Sequence, residues 1–304
     1  MKKYSILMTA LSALALLVVS CNNEHENDAV ETAKYITVNT SIGALSRTTI
    51  ADGGTQIFAE NDKISVYAWT GTADVINTSG LVVNNSINTY DGTSAWTPAP
   101  QMLWKDMTSA HYFLGIYPVR EVSDFTADTY TLDLTKGQEV NDLLVAVNTG
   151  TDKAGLTASA TAVPLQFDHV MAKLIVNLAF RNQWGGTPTV ESVTTSNLRS
   201  KATVDYLTKS VTVTDDTATA IELLTATANT SYQSVMVPQA GEETQIAVKI
   251  GEKNYTYTGT VLLESGRYTT VNLIVGRDAI TLGSVSINDW GKGETINGGE
   301  AQED

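Results

Sequence analysis

The chain has 304 residues, with 33 Asp+Glu against 19 Lys+Arg and a formal charge of −14. Such an acidic chain lacks the clustered Lys and Arg that phosphate binding needs, which excludes nucleic acid as a partner. A single Cys excludes an internal disulfide and a thiolate metal cluster, and a hydrophobic content of 42% excludes a disordered chain. Thr and Val abound; both are stiff at χ1 and suit a pleated, half-buried surface, so the expected fold is all-β.

Met1-Lys2-Lys3 is a short basic start, and Tyr4 to Val19 carries no charge. That run is too short to span a membrane and fits the apolar core of a secretory signal, residues 1–20. Leu17-Val18-Val19-Ser20-Cys21 resembles a bacterial lipobox, in which the Cys is acylated; an ordinary signal with a chance Cys is the alternative. Several acyl chains on Cys21 would give a stable anchor in a lipid membrane. Residues 21–33 read as the lipidated tether, because Asn22-Asn23-Glu24-His25-Glu26-Asn27-Asp28 is polar and lacks hydrophobic period. Acidic residues directly after the lipid Cys resemble the surface-export signal of Bacteroidales lipoproteins, although a plain solvated linker has the same composition.

Alternation dominates the rest of the chain. Ile36, Val38 and Ile42 share one face of a strand from Lys34 to about Ile42. Ile64, Val66 and Ala68 alternate with Ser65, Tyr67 and Trp69. Leu143 to Val147 is continuously apolar and is expected as a central strand buried on both faces. Ala172, Leu174, Val176 and Leu178 alternate with Lys173 and Asn177, and Val211 and Val213 alternate with Thr. Ile246, Val248 and Ile250 lead through Gly251-Glu252-Lys253-Asn254 into Tyr255 and Tyr257, which predicts a hairpin with a four-residue turn. No amphipathic helix of three turns is evident. A mature length well above the roughly 100 residues of one sandwich predicts two β-domains. The small-residue stretch Thr151–Val163 suggests a division into 34–160 and 161–304.

Catalytic signatures are missing. His25 lies in the tether, and His111 and His169 lie in strands, where hydrogen-bonded structural roles are the expectation. There is no G-x-S-x-G, no P-loop and no calcium loop, and His25-Glu26 has no second His at the spacing of a zinc protease. Gly291-x-Gly293 lacks the third Gly of a dinucleotide site. Asp215-Asp216 reads as a solvated turn pair. Neither a cofactor nor a metal is therefore expected. Trp69, Trp96, Trp104, Trp184 and Trp290 raise the question of sugar stacking. Trp96 and Trp104 flank Pro98-Ala99-Pro100, a loop that could present them together, although packing is the expected role. Asp216-Thr217-Ala218 resembles a Bacteroidales O-glycosylation site, with Thr217 as the acceptor.

Pro164-Leu165-Gln166-Phe167-Asp168-His169-Val170-Met171-Ala172-Lys173-Leu174-Ile175-Val176-Asn177-Leu178 resembles the fimbrillin family of Bacteroidales, the Mfa-like and FimA-like pilins of type V pili. The characteristic positions are Phe167, His169, Ala172, Lys173, Leu174 and Val176. Arg47-Thr48-Thr49, followed by Phe58, Asp62, Ile64 and Val66, is similar to the start of the family pattern. Val235-Met236-Val237-Pro238-Gln239 resembles a strand ending in Val-Pro-Gln. Leu263, Gly266, Arg267, Tyr268, Val271, Leu273 and Val275 resemble the penultimate strand. Val285-Ser286-Ile287-Asn288-Asp289-Trp290 with Gly293, Ile296 and Gly298 is similar to the C-terminal signature.

The resemblance implies two tandem transthyretin-like β-sandwich domains and a subunit of surface fimbriae made from a lipoprotein precursor. It implies that a trypsin-like protease cuts after Arg47, removing the lipid together with the strand of Ile36, Val38 and Ile42. A strand from the next subunit then fills the groove. A plausible donor is Ile280 to Ile296, with Ile280, Leu282, Val285 and Ile287 as pocket residues. The implied partners are other fimbrial subunits, the processing protease, the outer membrane through Cys21, and a host protein or glycan receptor. A non-polymerising surface lipoprotein that binds glycans or host proteins is the alternative.

Overall fold

The computed structural model describes residues 34–43, 57–135, 138–214 and 219–290. Cys21, Arg47 and Thr217, together with the Asp215-Asp216 pair, lie outside the described residues.

The first sheet has seven strands. In chain order they are β1 (Val38–Ile42), β2 (Lys63–Thr70), β3 (Val83–Tyr90), β4 (Trp96–Ala99), β5 (His111–Tyr117), then β7 (Leu144–Asn148) and β8 (Val163–His169), with β6 (Asp128–Thr131) in a separate sheet. The spatial order is β1-β8-β7-β5-β2-β3-β4. All neighbours are antiparallel except β1 and β8, which run parallel with Val38 opposite Val163 and Ile42 opposite Phe167. A parallel pair needs a long crossover, and here it takes the rest of the sheet. β8 follows residue 160, yet it supplies a strand to this sheet.

Both faces of the sheet are apolar, as the two interleaved patterns in β2 require. Ile64, Val66 and Ala68 face one core with Phe113, Leu144, Ala146, Leu165 and Phe167. Tyr67 and Trp69 face the other, with Leu114, Ile116 and Val145. The continuously apolar run is buried on both sides from Leu143 to Ala146, as the sequence suggests, and only Val147 is half-buried. The sheet curls over the first core until its ends meet. Tyr35 bridges Leu103, Ile36 N–H donates to Met102 O at 3.0 Å, and Trp104 N–H donates to Lys34 O at 3.1 Å.

The remaining strands are β9 (Ala172–Phe180), β10 (Ser192–Leu198), β11 (Lys201–Asp205), β12 (Ser210–Val213), β13 (Thr219–Glu222), β14 (Leu224–Thr227), β15 (Ser231–Met236), β16 (Gln239–Ile250), β17 (Lys253–Leu263), β18 (Arg267–Val275) and β19 (Ile280–Asp289). All but β11 and β12 form a four-stranded sheet β13-β10-β16-β17 and a five-stranded sheet β14-β15-β9-β18-β19. Val193, Ile246, Val248 and Val261 of the first and Leu174, Val176, Val271 and Leu273 of the second share one core. That core is continuous with the outer face of the curled sheet. The hairpin turn between β16 and β17 is tighter than the sequence predicts. Ile250 pairs with Lys253, so only Gly251 and Glu252 turn, with Gly251 at φ +59°. Glycine adopts that conformation without steric cost, and Lys253 and Asn254 extend the ladder instead.

A fourth sheet, β12-β11-β6, ties the halves together through backbone pairing of β6 with β11. Arg120 Nε contacts Asp128 Oδ2 at 2.6 Å, and Tyr206 O–H donates to the same oxygen at 2.7 Å. Burial raises the Tyr206 hydroxyl far above its ordinary pKa, and its bond to the Asp128 carboxylate pushes the same way. Among the described residues, helix is confined to short pieces such as α1 (Gln138–Asn141).

Candidate functional site

The described residues proposed for strand exchange fall on β1, with Ile36 just before it, and on β19. They are not brought together: β1 belongs to the seven-stranded sheet and β19 to the five-stranded one.

Ile36 is 0% exposed and Val38 is buried, while Ile42 is half-buried at the end of the strand. Full burial of such side chains contributes about 1.5–3 kcal/mol each. They point into the first core, where Met102, Trp104, Leu165 and Phe167 lie. On one side β1 pairs with β8, reinforced by Val163 N–H to Thr37 O at 2.8 Å and Gly43 N–H to Phe167 O at 2.8 Å. On the other side the Lys34–Ile36 backbone meets residues 102–104, and Thr40 Oγ1 accepts from Trp96 Nε1 at 3.1 Å. The strand therefore lies in a slot with two walls and an aromatic floor. Phe58 supplies part of that floor, packed edge-on to Trp96, Tyr117 and Phe167 with centroids 5.1–5.4 Å apart. Thr40 was missed as a site residue. Its signal was its parity: it shares a face with Ile36, Val38 and Ile42, and a polar residue on an apolar face needs a partner.

β19 pairs antiparallel with β18 over nine residue pairs, from Arg267–Asp289 to Val275–Ile280. Strict alternation would put Ile280 and Leu282 on one face and Val285 and Ile287 on the other. The register slips at Gly283, so Leu282 lies opposite Leu273 and Val285 opposite Val271. The bulge gathers all four side chains onto the face of β18 that carries Val271, Leu273 and Val275. Because β19 is an edge strand, Leu282 and Val285 remain 43% and 40% exposed.

His169, at the end of β8, contacts Asp142 Oδ1 through Nδ1 at 2.8 Å, and both side chains are buried. Trp290 lies flat on the imidazole, and its backbone N–H donates to Gly266 O at 2.9 Å. His111 Nε2 accepts from Lys105 N–H at 3.1 Å while Nδ1 meets Ser109 O at 2.9 Å, so the ring is a neutral donor–acceptor. Burial lowers its pKa. These are the structural roles expected of both histidines. Among the described residues, no group of three or more His, Cys, Asp or Glu gathers as metal ligands. Trp96 and Trp104 are not presented together on a loop. Both are buried in the core beneath β1, because Trp96 starts β4 and Trp104 packs on His111 and Phe113. Trp69 and Trp290 are buried as well, and Trp184 packs between Phe180 and Tyr255.

The fold is similar to that of a cell adhesion protein from Bacteroides ovatus, at 17% identity and a TM-score of 0.66, covering 86% of this chain and 99% of that one. It is similar to a cell adhesion protein from Bacteroides uniformis, at 18% identity and a TM-score of 0.65, covering 84% and 98%. The tip fimbrial protein Mfa3 from Porphyromonas gingivalis, with C-terminal truncation, matches at 12% identity and a TM-score of 0.50, covering 84% and 99%. At these identities the likeness is one of fold. No protein of curated function matches the chain. A family model described as fimbrillin-like matches residues 46–290, most of the length, and the chain belongs to that family.

Proposed function

We propose that the chain is a non-enzymatic subunit of surface fimbriae that contributes to adhesion and is assembled by strand exchange. One observation carries the reading: β1 is the closing strand of a curled sheet, and its apolar face seals the core. Cutting after Arg47 would release Cys21 through Arg47, lipid and β1 together. Unpaired N–H and C=O groups on β8 and an apolar slot would then be exposed, both costly and both templates for an incoming strand. Strand addition satisfies them through ladder bonds and side-chain pockets. The contact is heterologous, so it extends into a fibre. The donor is β19 of the next subunit, with Ile280, Leu282, Val285 and Ile287 as anchors. Cys21 holds the precursor in the outer membrane. The partners are other fimbrial subunits, a trypsin-like protease and a host protein or glycan receptor; Thr217 is proposed as an O-glycan acceptor. The chain is read as two transthyretin-like sandwich units, and because β8 pairs with β1 and β7 we place the passage between them at Val170-Met171.

A second reading rests on β19. Nine register pairs and the Trp290–His169 stack hold this strand at home, which favours a terminal subunit that accepts a strand and donates none. Protease treatment of the exported protein, with sequencing of the new N-terminus, tests the processing step. A start at Thr48 with ladders on a denaturing gel supports the polymer, a start at Thr48 with single additions only supports the terminal subunit, and an intact lipidated monomer overturns both.

A further inference from the structure

Trp96 presents its indole N–H to β1 from the far wall of the slot. Its N–H is a donor with no accepting capacity, so it requires an oxygen from whatever strand lies there. The indole cannot turn away. Phe58 packs on it edge-on at 5.1 Å, and Tyr90 lies against it at 4.9 Å with a tilt of 31°. The ring is buried, and its N–H reaches Thr40 Oγ1 at 3.1 Å. The slot thus has an order of demands along its length: aliphatic at the Ile36 position, aliphatic at Val38, hydroxyl at Thr40.

We propose that Trp96 selects the strand that replaces β1 by demanding a Ser or Thr two residues beyond its second aliphatic anchor. This deepens the strand-exchange reading and rests on it. The committed occupant is Ile280–Ser284 of a second copy, running parallel to β8 as β1 does. Ile280, Leu282 and Ser284 match Ile36, Val38 and Thr40 once the bulge at Gly283 is straightened. Ser284 then meets the Trp96 N–H, while Val285 and Ile287, which anchor the strand only when the bulge is kept, turn to the outer face. Val261-Leu262-Leu263-Glu264-Ser265 carries the same order on another edge strand, but Val261 and Leu263 are wholly buried in their own sheet, whereas Leu282 is already exposed. Releasing β19 therefore strips less apolar surface from its home.

The test uses the full chain with a site-specific protease sequence placed between Gly43 and Ile57. After the cut, fluorescent peptides of the Lys34–Gly43 sequence are exchanged into the slot and their dissociation is timed. The Thr40→Ser peptide is expected to leave within threefold of the native rate, and the Thr40→Val peptide at least tenfold faster. In a Trp96→Phe protein the Thr and Val peptides are expected to leave within twofold of each other. A peptide of the Ile280–Asp289 sequence is expected to compete, and its Ser284→Val version to compete at least fivefold less well. Equal rates for the Thr40 and Val peptides on the native protein, or a difference that survives Trp96→Phe, overturns the selection while strand exchange stands. Failure of the Ile280–Asp289 peptide to compete overturns the committed occupant. If no peptide exchanges at all, the strand-exchange reading fails and takes this proposal with it. A double-mutant cycle of Thr40→Val and Trp96→Phe in the uncut chain checks the contact itself: a tenfold coupling in the unfolding constant is expected, and its absence overturns the proposal.

Discussion

The rings of His169 and Trp290 lie face to face, with centroids 4.2 Å apart and planes 7° apart. His169 ends β8 and Trp290 follows β19, so this stack joins the last strand of one sheet to the seven-stranded sheet of the other half. Gly266, whose carbonyl accepts the Trp290 backbone N–H, sits at φ +68°, and a Cβ there would meet His169 O at 2.9 Å. Trp290→Ala is expected to cost about 3 kcal/mol, the usual size for truncating a buried aromatic. It is also expected to speed hydrogen exchange in β19 more than in β9, the sheet's centre. Equal acceleration in both strands would mean that the stack does not hold β19 in place.

Ile36→Ala is expected to destabilise the chain by about 2–5 kcal/mol, because a wholly buried side chain leaves a cavity between β8 and residues 102–104. The neighbouring Thr37→Ala, on the exposed face, should change stability by less than about 0.5 kcal/mol. Denaturant unfolding of both variants reads the difference, and similar values would mean that β1 does not seal the core.

Gly115 in β5 has no room for a side chain. A Cβ would stand 2.7 Å from Phe167 Cζ and 3.2 Å from Leu165 Cδ1, both on the strand that carries β1. Gly115→Ala is expected to cost about 1–3 kcal/mol as overpacking, and Gly115→Ala with Phe167→Leu should recover part of it. Double-mutant unfolding checks this; simple additivity would contradict the contact.

How much was legible follows from which contacts are local. Alternation located β2 and β9 and the inward face of β1, because side-chain direction in a strand depends on the backbone alone, and the continuous apolar run located β7. It missed that Lys173 is buried on the nominally polar face of β9. It put Ile280, Leu282, Val285 and Ile287 together, but only a bulge at Gly283 makes this true, and one extra residue leaves no periodic mark. The parallel pairing of β1 with β8 joins residues more than a hundred positions apart, and no local pattern encodes it. Trp96 and Trp104 pack, as expected, and what the sequence left open was where: Trp96 starts a strand and Trp104 lies beyond it at the seam, both over the same core.

Tyr67 O–H donates to Arg120 O at 2.9 Å, and burial pushes its pKa from 10.0 up to about 12. Burial raises Tyr130 too. A raised folded pKa means the folded state holds its proton when the unfolded state has lost it. This contribution to stability is complete below about pH 10 and is lost as pH rises toward 12. The 295 nm absorbance of the folded chain should therefore lag behind that of the unfolded chain across this window, and Tyr67→Phe should flatten the alkaline fall in stability. A Tyr67→Phe chain with an unchanged fall would place the effect elsewhere.

Light scattering of the chain before and after a single cut between Gly43 and Ile57 tests the role of β1 most directly. The expected result is a monomer before the cut, and after it a loss of the residue 34–43 piece together with growth into higher species. A cut chain that keeps the piece and stays monomeric, or one that loses it and still stays monomeric, would contradict the role of β1 as a strand removed for assembly.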